Sequence, residues 1–180
     1  MHAGGCGSRN GGRLESRSPA WPPAEDGLRP EADAVIKKTA GDNEACRRLV
    51  AIPGIGPITA TAIIAAIGNG AAFKKGREFA AWIGIVPGEH TTGGKQKLLG
   101  ISKRGNSYLR KLFVQGARAV LQQSAKQSSG LSAWLAKLTA RTHRNVAAVA
   151  LANKLARMAW AVLAKNEAYR PPMLAGTATA

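Results

Sequence analysis

With 180 residues, 26 Lys+Arg against 10 Asp+Glu and a formal net charge of +16, the chain has room for one modest domain and a strong attraction for polyanions. No stretch approaches the roughly 18 uninterrupted apolar residues of a membrane span, and no apolar signal-peptide core opens the chain, so a soluble cytoplasmic protein is expected rather than a membrane or secreted one. Cys6, Cys46, His2, His90 and His143 are scattered without disulfide or metal-ligand spacing, so no cofactor is expected in this chain.

Residues 1–30 are rich in Gly, Pro, Ser and Arg, have no apolar periodicity, and are expected to be a disordered tail. Helical signals begin near Glu31, with Ala34, Val35, Leu49 and Val50 as apolar positions and Gly41-Asp42 as an interruption. In LVAIPGIGPITATAIIAAIG a Pro-Gly-Ile-Gly-Pro turn separates two apolar segments, with Pro57 suited to a helix N1 position and Gly68 to a C-terminal cap. This pattern predicts a helix-hairpin-helix element whose Gly54, Ile55 and Gly56 offer backbone N–H groups to a phosphate. A plain tight turn between two core helices is the alternative.

A short helix is expected from Arg77 to Ile83, followed by GEHTTGGKQKLLG, a flexible, basic, Gly-rich loop or a hairpin. The next segment, KRGNSYLRKLFVQGARAVLQQ, spaces Leu109, Leu112, Phe113, Ala117, Val120 and Leu121 as a helix would. Extended back to an N-cap at Ser102, that helix gathers Lys103, Arg104, Arg110, Lys111 and Arg118 within about a third of its circumference. Further helices are expected around Trp134–Thr139 and from Asn145 to Lys165, the latter with Leu151, Leu155, Met158 and Val162 in an apolar row and Lys154, Arg157 and Lys165 on the other side; residues 171–180 should fray. The fold class is mainly α, a compact helical domain over residues 31–170.

The positive charge is concentrated. Residues 1–40 are nearly balanced, whereas from His90 to Asn166 fourteen Lys and Arg residues stand without one carboxylate. Self-repulsion over such a length favours an external polyanion, nucleic acid above all, over a merely solubilising face or an anionic membrane surface. Metal-dependent cleavage of nucleic acid needs clustered carboxylates, and the five available after residue 40, Asp42, Glu44, Glu78, Glu89 and Glu167, are too scattered. Hydroxyls beside cations remain: Thr91, Thr92, Ser102 and Ser107, each with ordinary hydrogen bonding as the alternative to phosphoryl transfer. Glu89-His90 as an acid/base pair is disfavoured, because adjacent side chains rarely converge.

Three strings, CRRLVAIPGIGPITATAIIAAIG, FAAWIGIVPGEHTTGGKQKLLGISKRGNSYLRKLFVQGARAV and NVAAVALANKLARMAWAVL, together resemble the C-terminal transposase domain of the insertion-sequence-110 family over about residues 31–170. The resemblance implies a DNA recombinase whose full-length members add a RuvC-like domain with DEDD carboxylates, which would hold the divalent metal. It implies action as an oligomer with a structured guide RNA, and a serine nucleophile forming a phosphoserine link to DNA. That serine falls at Thr91 here, whose extra methyl stiffens χ1 and crowds the approach to phosphorus. Lys95, Lys97 and the string Ile101-Ser102-Lys103-Arg104-Gly105-Asn106 match the family's basic segment and are assigned to nucleic-acid backbone binding.

Residues 1–30 resemble neither the RuvC-like domain nor its linker, so a truncated transposase, inactive alone and dependent on a full-length partner or a second copy, is expected. A stand-alone helix-hairpin-helix nucleic-acid-binding protein without chemistry is the competing class, and a relic reading frame a third.

Overall fold

The computed structural model describes residues 28–123 and 130–171. Asn43 ends one helix and starts the next: α1 spans Leu28–Asp42, α2 spans Glu44–Val50, and the Asn43 side chain caps α2 by accepting from the Cys46 N–H at 3.2 Å. α1 begins three residues before Glu31, so only the part of the expected tail before Leu28 lies outside the described residues, as does the tail after Pro171. The Pro-Gly-Ile-Gly turn leads into α3, Pro57–Ile67, with Pro57 in its first turn and Gly68 as its C-cap. α4, Gly76–Ile83, stops at Gly84, whose left-handed φ of 80° turns the chain away.

Where a flexible basic loop was one expectation, the chain forms an antiparallel hairpin, β1 over Pro87–Thr92 and β2 over Lys95–Ile101, with a register shift between Pro87 and Glu89. Gly93 and Gly94 make its two-residue turn with φ of 59° and 75°, the doubly positive pair that matches the twist of a tight hairpin. α5 then spans Ser107–Gln123, α6 Gly130–Thr139 and α7 Arg144–Ala164. The fold is mainly α, seven helices and one hairpin among the described residues.

α7 is the centre of the core and contacts α2, α4, α5 and α6. Ala147, Ala148, Ala152, Ala156 and Ala159 are buried along it and let its neighbours approach closely, while Leu151, Leu155, Val162 and Leu163 fill the space between them. Met158, expected in the apolar row, is only partly buried. By length and composition α7 could cross a membrane, but half of its apolar window is buried inside the domain, as in a core helix. Phe79 joins α4 to α5, its ring 6.1 Å from Phe113 edge-on and 5.5 Å from Phe73.

Candidate nucleic-acid interface

The α2–turn–α3 unit, the expected helix-hairpin-helix, spends most of its turn on packing. Gly54 has φ of 83°, and a Cβ there would come within 2.8 Å of the Gly116 carbonyl oxygen and of Val120, so the turn is pressed onto α5. The Ile55 side chain is buried, and its N–H donates to the Ile52 carbonyl at 3.0 Å. Gly56 alone of the three stays exposed, at the N-terminus of α3 and without a side-chain cap. Of the three, the Ile55 N–H is used internally, Gly54 packs against α5 and Gly56 stays open.

The basic helix begins later than expected. Ser102 is not its N-cap; Asn106 is, its side-chain oxygen accepting from the Leu109 N–H at 3.0 Å. Lys103 and Arg104 therefore lie in the linker ahead of α5 and cannot belong to one helical face with Lys111 and Arg118. The linker is pinned beside α4 by the Ser102 N–H to Val86 carbonyl bond at 2.9 Å and the Lys103 N–H to Gly84 carbonyl bond at 3.1 Å. Both Lys103 and Arg104 are exposed there. Arg110 is only partly exposed and donates to the Ile83 carbonyl at 2.9 Å, closing the C-terminus of α4. Lys111 and Arg118, about two turns apart and both exposed, share a face of α5. Tyr108, 56% exposed and one turn before Lys111, is an aromatic that sequence reasoning passed over.

Pairing in the hairpin sorts the remaining candidates. Thr91 stands opposite Gln96, Thr92 opposite Lys95, and His90 opposite Lys97. Directly opposed residues share a face and neighbours along a strand alternate, so Glu89, Thr91 and Gln96 occupy one face and His90, Thr92, Lys95 and Lys97 the other. Thr91 donates its hydroxyl to Glu89 Oε1 at 2.5 Å. That hydroxyl, with the Gln96 amide, holds the Glu89 carboxyl below its usual pKa, so Thr91 sits beside a carboxylate and away from both lysines. On the other face the Thr92 hydroxyl lies 3.3 Å from His90 Nδ1. The two-glycine turn was the signal for this register, since a two-residue loop at Gly93-Gly94 fixes the pairs from Thr92–Lys95 to Glu89–Leu98.

Cys46 is no competing nucleophile: it is buried, and burial pushes its thiol above the ordinary value. Among the described residues no three His, Cys, Asp or Glu side chains gather in one place.

Residues 46–132 match the Transposase IS116/IS110/IS902 family. That stretch, just under half of the chain, is similar to a domain of that family. The chain is 52% identical over 125 residues to the "Probable family 20 transposase" of Pseudomonas aeruginosa, an alignment that covers 69% of this chain and 37% of that protein. It is 45% identical over 135 residues to the "Transposase for insertion sequence element IS1111A" of Coxiella burnetii, covering 75% of this chain and 37% of the relative. With the "Transposase for insertion sequence element IS1328" of Yersinia enterocolitica it shares 44% identity over 139 residues, 77% of this chain and 42% of the relative. The chain thus spans about two fifths of the length of these relatives or less.

Proposed function

We propose that this transposase-family domain binds DNA and contributes a phosphoryl-accepting hydroxyl to transposition, and that it is inactive alone because the metal-binding carboxylates belong to another domain. The observation that carries the reading is the hairpin face on which Thr92, His90, Lys95 and Lys97 stand together. A hydroxyl attacking a phosphodiester forms a P–O bond to threonine as the P–O bond to one sugar oxygen breaks. It therefore needs an acceptor for its own proton, a proton for the departing sugar oxygen and cations for the developing charge; that face offers an imidazole and two ammonium groups. Thr91, the position implied by family resemblance, has a base in Glu89 but would bring the phosphate against a carboxylate. Lys103, Arg104, Lys111 and Arg118 supply the surrounding backbone contacts. Family resemblance extends the reading to a structured guide RNA, to assembly with a full-length transposase or a second copy, and to the bacterial nucleoid as the place of action.

The test is a binding titration of the purified chain against duplex DNA, single-stranded DNA and structured RNA over a salt series, followed by denaturing gels for covalent adducts. Salt-sensitive binding without an adduct or strand exchange is expected from the chain alone. When a full-length relative is added, an adduct carrying this chain is expected, lost in Thr92→Val and retained in Thr91→Val. Strand exchange by the chain alone would refute its dependence on a partner, and the reverse result with the two threonines would return the role to Thr91.

A further inference from the structure

Away from the hairpin tip, α4 and α7 enclose a cleft of about 770 Å³ lined by Lys75, Arg77, Lys154, Arg157 and Lys165, with Trp134 and Trp160 in its walls and no carboxylate in its lining. The helical repeat brings Lys154, Arg157 and Lys165 to one side of α7. α4 reaches that side because its first residue is Gly76: a Cβ there would stand 3.2 Å from the Arg157 backbone and from the Trp160 ring.

The walls are fixed by their own bonds. Trp160 Nε1 donates to the Gly70 carbonyl at 3.2 Å, and Lys154 Nζ rests 4.3 Å from the centre of the Trp134 ring. Partial burial, and secondarily the neighbouring Arg157 charge, lower the pKa of Lys154. The nearest carboxylate in sequence, Glu78, is already accepting from the Lys74 N–H at 2.8 Å. Among the described residues the one ion pair is Arg48 with Glu44, so none of the five cations in the cleft has a carboxylate partner. A concave site of like charge, desolvated in part and left without counter-charge, is stabilised when an anion enters it.

We propose that the α4–α7 cleft is a second nucleic-acid site, which takes the sugar-phosphate backbone of a segment other than the one at the hairpin, so that one copy of the domain holds two segments. This goes beyond the reading above, which concerns only the hairpin and the cations near it. Lys154 to Lys165 spans about 16 Å of helix at 1.5 Å per residue, a length over which one strand of a duplex presents about five phosphates. Both indoles are engaged, Trp134 by an ammonium and Trp160 by a carbonyl, so recognition here is of backbone charge and independent of base sequence.

The experiment uses the full chain. One biotinylated duplex is immobilised, the chain is bound to it, and capture of a second, fluorescent oligonucleotide is measured with duplex DNA, single-stranded DNA and an RNA hairpin as separate arms. The wild-type chain is expected to capture the second oligonucleotide. Lys154→Gln with Arg157→Gln should reduce that capture at least tenfold and flatten the log–log salt dependence for duplex by about two, while first-duplex binding persists. Lys165→Gln, at an exposed helix end where packing is not disturbed, should act in the same direction by a smaller factor. Unchanged capture and slope in both variants would overturn the proposal. If Lys95→Gln with Lys97→Gln abolishes first-duplex binding while the α7 variants change nothing, the hairpin reading stands and the second site falls; with the opposite pattern the second site stands and the hairpin reading falls.

Discussion

Lys103 has a φ of 55°, in the left-handed region that costs a residue with a Cβ roughly 1–2 kcal/mol. Its N–H bond to Gly84 and the Ser102 bond to Val86 hold the linker in that form, and its exposed side chain is thereby aimed out of the domain. Lys103→Gly is expected to raise stability by about 1 kcal/mol, the strain relieved exceeding the added chain entropy, and to weaken duplex binding with a salt slope smaller by about one. Thermal melting and a salt-series titration check the two signs; a destabilised variant would show that the linker is not strained. At Glu89 the direction follows from its partners. Removing the Thr91 hydroxyl in Thr91→Val takes away the larger of the two hydrogen bonds that stabilise the carboxylate, so the Glu89 pKa should rise toward the ordinary carboxylate value in a side-chain NMR titration. Arg110 shows why single residues were hard to place from sequence. Its spacing marks a basic helical face, but its partner, the Ile83 carbonyl, lies in another element, and nothing local announces that bond.

Among elements, the α2–α3 turn approaches α5 closely, and Gly54 and Gly116 face each other backbone to backbone. Helix propensity alone says that Gly116→Ala should stabilise α5 by about 1 kcal/mol. The geometry says the reverse, because a Cβ at Gly116 would collide with the Gly54 carbonyl, and such overpacking costs about 1–3 kcal/mol. A chemical-denaturation midpoint that falls for this variant supports the packed turn, and one that rises refutes it. Most helices could be read from apolar spacing and caps: Pro57 and Gly68 act as the sequence suggests, and Asn43 and Gly84 are caps of ordinary residue type. The start of α5 could not. Ser102 and Asn106 are both acceptable caps by residue type, and the choice between them is made by the bonds from Ser102 and Lys103 to the chain around Gly84. The division of the hairpin into a carboxylate face and a lysine face was available in the two-glycine turn, whereas the α4–α7 cleft depends on which helices pack together.

For the whole molecule, charge acts on folding and on binding in opposite directions. The acid-free stretch carries fourteen cations, thirteen of them among the described residues, and their mutual repulsion opposes the compact state. Added salt screens that repulsion, with a Debye length of about 10 Å at 0.1 M and about 3 Å at 1 M, so the melting temperature of the free chain should rise with sodium chloride. The same salt removes the gain from counterion release and should lower DNA affinity linearly on a log–log scale. At low salt, saturating duplex should restore the stability that salt otherwise provides, by about 2.7 kcal/mol at a hundredfold excess over Kd. Melting curves with and without duplex across one salt series therefore converge at high salt. Parallel curves would mean that the duplex does not engage the charges that strain the fold, and a melting temperature that falls with salt would mean that attractive pairs, rather than the unpaired cations, dominate the electrostatics of the domain.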